Sequence, residues 1–73
     1  MTTEFKSEVA IFKQTGTHST KKMWSCRLPT SELAYECYKE MIEYLNEHVI
    51  TGEHFYVVRF LDDNIMSMEE VIH

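Results

Sequence analysis

At 73 residues the chain has room for one small core, since a domain of this size buries only roughly 60% of the surface its unfolded form exposes. Its two glycines, Gly16 and Gly52, lie too far apart for a phosphate-cradling loop, and Cys26 and Cys37 match no paired ligand or disulfide pattern. A net charge of −5 argues against a nucleic-acid surface as the main business of the chain.

In chain order, Glu4 to Phe12 reads as a strand, with Phe5, Val9 and Ile11 on one side and Lys6, Glu8, Ala10 and Phe12 on the other. Residues 13–21 are polar, carry no period, and read as a long hairpin loop. A second strand spans Lys22 to Leu28, where Trp24, Cys26 and Leu28 alternate with Met23, Ser25 and Arg27. Thr30 to Val49 is an amphipathic helix. Ala34, Cys37, Tyr38, Met41, Leu45 and His48 recur at helical spacing, and Glu36, Glu40, Glu43 and Glu47 line the opposite side. Pro29 discourages helix before it, Thr30 can cap the free amides, and Thr51-Gly52 closes the element. His54 to Leu61 is a third strand, rich in aromatic and β-branched residues, and Asp62-Asp63-Asn64 breaks it. The tail, 62–73, reads as a short helical turn through Met68, Val71 and Ile72 or as a mobile end.

This order predicts a two-layer α+β domain, β-β-α-β, in which one helix covers one face of a three-stranded antiparallel sheet of order 2-1-3. The covered face is expected to hold Phe5, Val9, Ile11, Trp24, Cys26, Leu28, Tyr56, Val58 and Phe60. The open face then shows Ala10, Phe12, Met23, Phe55, Val57 and Leu61, ringed by Lys6, Arg27 and Arg59. An uncovered antiparallel face is ordinarily polar, and an apolar patch rimmed by charge marks a contact site. The expected partner site is therefore Lys6, Ala10, Phe12, Met23, Arg27, Phe55, Val57 and Arg59. Two arrangements would remove it: the tail folding back through Ile65, Met66 and Ile72, or a one-residue slip that exchanges the faces of a strand.

The residues offer little chemistry. His18, His48, His54 and His73 with the two cysteines have no zinc spacing, so no metal or cofactor is expected. The helix carboxylates lie on a convex, wet surface unsuited to acid–base catalysis, so no enzyme is expected. Charge is unevenly distributed. Lys6, Lys13, Lys21, Lys22 and Arg27 against Glu4 and Glu8 leave residues 1–27 at +3, while Lys39 and Arg59 against ten acids leave the rest at −8. Such polarity favours a charged macromolecular partner over a small substrate. Lys13, Lys21 and Lys22 beside Trp24 could clamp nucleic acid, but Trp24 alternates in phase with the buried set. With no apolar run of spanning length, the reading is a soluble, monomeric protein of the cytoplasm.

In its length, in the order of its strands around the helix and in its charge polarity, the chain resembles the very small proteins that lytic phages make to take over host transcription. The resemblance implies binding to host bacterial RNA polymerase, with the N-terminal segment of the β′ subunit as a contact. It further implies displacement of the sigma factor, inhibition of initiation, and altered termination, all in the host bacterial cytoplasm. Rival readings are a DNA-mimicking inhibitor of a host defence enzyme, acting through the acidic helix stripe, a small nucleic-acid-binding module, and a cytosolic enzyme.

Overall fold

The computed structural model describes residues 7–48 and 51–72. Strands β1 (Ser7–Gln14) and β2 (Thr20–Leu28) form a hairpin, helix α1 (Ser31–His48) crosses the sheet, and β3 (His54–Leu61) and β4 (Asn64–Ile72) form a second hairpin. The four strands make one antiparallel sheet of order β2-β1-β3-β4. The expected neighbours 2-1-3 are present, and the expected tail is instead a fourth strand at the β3 edge. The start of the first strand at Glu4, and with it Phe5 and Lys6, lies outside the described residues, as does Val49.

Local chemistry explains the element ends. Thr30 caps α1: its Oγ1 accepts the Leu33 amide at 3.2 Å and its carbonyl accepts the Ala34 amide at 3.1 Å. Glu32 adds an acid in the first turn, where the helix dipole favours one. The β1–β2 loop is held by the Thr15 amide on the Ser19 carbonyl and by the Gln14 side-chain amide on the Gly16 carbonyl. Asp62 and Asp63 both adopt positive φ, 50° and 66°, and Leu61 faces Asn64. That is the two-residue turn whose twist matches a hairpin. What reads as a strand breaker therefore reverses the chain and returns it as β4.

Antiparallel partners point to the same side, so the registers sort the side chains by face. Val9, Ile11, Val57 and Val71 pack with Ala34, Tyr38 and Leu45 of α1 in one core, edged by Leu28, Cys37, Met41, Ile42 and Phe55. Ile11 faces Val57, Val9 faces Arg59, and Lys13 faces Phe55, so these β3 residues lie on the helix side. Among the described residues the expected faces of β1, and of β2 from Trp24 to Leu28, are observed, with Met23 in a bulge; that of β3 is exchanged. Phe55, Val57, Arg59 and Leu61 belong to the covered face, and Tyr56, Val58 and Phe60 to the open one. Both alternating sets of β3 are apolar, and the pairing with β1 decides between them: Val57, 0% exposed, sits opposite Ile11 beneath α1. Arg59 is tolerated beneath the helix because its guanidinium reaches the Tyr35 ring at 5.3 Å and Ser67 Oγ at 3.2 Å.

Both outer strands carry a bulge. Ile11 pairs with Trp24 and Phe12 with Lys22, leaving Met23 without a partner, and Met66 is left over in the same way opposite Arg59–Phe60. Each bulge adds twist near a sheet edge.

Candidate functional site

The open face is built from three rows of side chains that run across all four strands. The first is Lys22–Phe12–Tyr56–Glu70, the second Ser25–Ala10–Val58–Met68, and the third Arg27–Glu8–Phe60–Ile65. His54 and Ile72 extend it beyond the first row. At the centre the rings of Phe12 and Phe60 meet edge to face at 6.5 Å. They come from the outer rows and lean over the middle one, which is why Ala10 and Val58 are buried although no helix covers them. On the β4 side Ile65, Met68 and Ile72 are each more than half exposed.

Polar groups frame this cluster. Tyr56 donates its hydroxyl to Gln14 Oε1 at 2.8 Å, which orients the phenol along the face. Lys22 Nζ lies 5.9 Å from the Phe12 ring centroid and 4.0 Å from a Glu8 carboxylate oxygen. The His54 and Tyr56 rings meet at 4.6 Å with their planes tilted by 32°, and His54 Nε2 approaches Glu70 at 3.5 Å without completing a hydrogen bond. The cations of this face, Lys22 and Arg27, thus sit on β2 with Glu8 beside them on β1, and Glu70 closes the β4 side.

Of the residues expected at a partner site, Ala10, Phe12 and Arg27 lie on this face and Met23 is the half-exposed bulge residue on its β2 edge. Lys6 lies outside the described residues. Phe55, Val57 and Arg59 are on the helix side, so their expected place on the open face is corrected. Phe55 packs on the core with Lys13 Nζ 5.8 Å from its ring. Residues the sequence reading did not place here are Tyr56, Val58 and Phe60, assigned to the other face, and the β4 residues, assigned to a tail. Both alternating sets of β3 are apolar, so no local signal separates Tyr56, Val58 and Phe60 from Phe55 and Val57.

The helix side differs in kind. Glu36, Glu40, Glu43 and Glu47 are exposed on α1. A shallow depression of about 410 Å³ beside the helix start is lined by Ser31, Glu32, Tyr35, Glu36, Lys39 and Arg59. Its two cations sit against Tyr35, Lys39 Nζ at 4.8 Å from the ring, and its two carboxylates face solvent. Burial pushes the Cys37 thiol above its ordinary 9.0, with the Cys26 and Glu40 charges adding to it, so the thiol is a poor nucleophile. Burial and the Glu69 carboxylate likewise raise the Tyr38 phenol above 10.0, with Arg59 opposing. Among the described residues no three His, Cys, Asp or Glu side chains are grouped to hold a metal ion. Among them, too, no helix is long and apolar enough to cross a membrane.

Comparison with protein-family models, with curated proteins and with solved structures finds no match to this chain.

Proposed function

We propose that the protein acts by binding rather than by catalysis, and that its open sheet face docks on a larger protein. The observation that carries this reading is the exposure of Ile65, Met68 and Ile72 beside the Phe12–Phe60 pair, on a face that no described element covers. An apolar centre with a polar rim is the anatomy of a protein interface, and aromatic residues and arginine are the side chains in which such interfaces concentrate energy. The partner follows from the resemblance to small phage proteins: bacterial RNA polymerase, at the N-terminal segment of β′, in the cytoplasm of an infected host. Occupying a surface that sigma needs would displace sigma and stop initiation, and continued residence on the enzyme would alter termination. A differential affinity of a few kcal/mol is enough to shift such a competition. On this reading no cofactor, metal or direct nucleic-acid contact is required.

The test is capture of purified polymerase by the immobilised protein, with variants on both surfaces. Met68→Lys and Arg27→Glu should weaken binding, the former about 30-fold, which corresponds to an anchor worth about 2 kcal/mol. Glu40→Lys and Glu43→Lys on α1 should leave binding within about two-fold of wild type. A DNA mimic would give the reverse pattern, with the glutamates essential and the sheet face indifferent.

A further inference from the structure

We infer that in the absence of a partner the open face is covered by a second copy of the chain, the two sheets packing face to face about a two-fold axis parallel to the strands. Such an axis exchanges left and right across the sheet and keeps each row at its own level. It therefore lays β2 over β4 of the partner copy and β1 over β3. In the first row Lys22 then faces the partner's Glu70, and Phe12 faces the partner's Tyr56. In the second, the projecting Met68, 54% exposed, meets the small Ser25, and in the third Ile65 lies against the aliphatic stem of Arg27. Each relation occurs twice.

The charges choose this axis over its alternative. A two-fold perpendicular to the strands would exchange the first and third rows and lay β2 on β2, so that Lys22 would face Arg27 and Glu70 would face Ile65. Like charges held together across an interface are strongly disfavoured. Aligned sheets pack about 10 Å apart with their strands about 30° from parallel, close enough for Lys22 and Glu70 to meet at the rim. The footprint is about 19 by 20 Å, or roughly 400 Å² on each copy. Contacts at that low end of interface sizes give a weak pair that dissociates on dilution.

The inference shares its face with the proposed function but not its partner, departs from the monomer expected of the sequence, and is tested on the isolated protein. Within one chain Lys22 and Glu70 are three strand spacings apart, about 14 Å, so no internal ion pair links them; each has a partly exposed neighbour of its own, Glu8 at 4.0 Å from Lys22 and His54 at 3.5 Å from Glu70. Sedimentation velocity over a range of concentrations should show a monomer–dimer equilibrium for the wild type. Lys22→Glu alone and Glu70→Lys alone should each weaken it about ten-fold or more, because each turns two attractions into two repulsions. Mixing the two variant chains should restore a heterodimer near wild-type affinity, since both of its ion pairs are then attractive. Far-ultraviolet spectra of both variants should match the wild type, both side chains being about half exposed. A wild type that stays monomeric at several hundred micromolar would overturn the inference, as would mixed variants that fail to pair. Failure to capture polymerase would leave this dimer standing, and a strict monomer would leave polymerase binding to be decided by its own experiment.

Discussion

Phe12 on β1 and Phe60 on β3 meet at 6.5 Å with their planes inclined by 64°, and they do so over the pair Ala10–Val58. A face without a covering layer thus makes a shallow core of its own, with Ala10 at 0% and Val58 at 3% exposure. Phe60→Ala should remove that roof and lower stability by about 2 kcal/mol, part of the cost of truncating a fully buried ring. Thermal melting should show a midpoint about 8–16 °C lower. In a double-mutant cycle with Phe12→Ala the two losses should fall short of additivity by about 1 kcal/mol.

The exchange of faces in β3 has a direct consequence for two substitutions. Val57 is fully buried under α1 and Met68 is more than half exposed on the open face. Val57→Lys should abolish cooperative melting, since it puts an unpaired charge in the core. Met68→Lys should leave the midpoint within the range of about 0.5 kcal/mol usual for surface changes. Were β3 in the opposite phase, Val57→Lys would be the tolerated change.

Asp63 holds a φ of 66° in the β3–β4 turn, a conformation that costs a side chain and is free to glycine. Asp63→Gly should stabilise the protein by about 0.5 kcal/mol, read as a higher midpoint in chemical denaturation at unchanged slope. If β4 were instead a loose tail, this change would have no effect.

Most of the fold is legible in the residues because its strongest signals are local. The 34–38–41–45 spacing marks the covered face of the helix, and Thr30 marks its start. The exchanged strand is a different matter. In β3 both alternating sets, Phe55/Val57 and Tyr56/Val58/Phe60, are apolar, so hydrophobic alternation cannot choose a parity, and only the pairing of Ile11 with Val57 does. Strand β4 was hidden for another reason. Asn64–Ile72 holds Ile65, Val71 and Ile72 but no clean two-residue alternation, being interrupted by Glu69-Glu70 and by the bulge at Met66, and becomes a strand through its turn and its ladder with β3. The candidate site was legible as a property of the sheet, an apolar open face, and only in part as a set of residues: Ala10, Phe12 and Arg27 lie on it.

Alkaline pH should weaken the fold. The Cys37 thiol and the Tyr38 phenol both have raised pKa values in the native state, each chiefly from burial. Between the unfolded and folded values the unfolded chain has lost a proton that the native chain still holds, so stability falls as pH rises. The melting midpoint should therefore hold up to about pH 9 and decline above it as first the thiol and then the phenol of the unfolded chain ionise. Cys37→Ala should move the onset of the decline to higher pH. A midpoint that rises between pH 9 and 11 would show the opposite sign.

The most direct test of the open face as the docking surface is site-specific photo-crosslinking to bacterial RNA polymerase. A photoreactive amino acid is introduced in place of Met68 on β4 and, in a second protein, in place of Glu43 on α1; both sites are exposed. Irradiation with the polymerase should give a covalent adduct with β′ from the Met68 position and none from the Glu43 position. An adduct from the Glu43 position alone would contradict docking through the sheet and move the binding surface to the acidic helix.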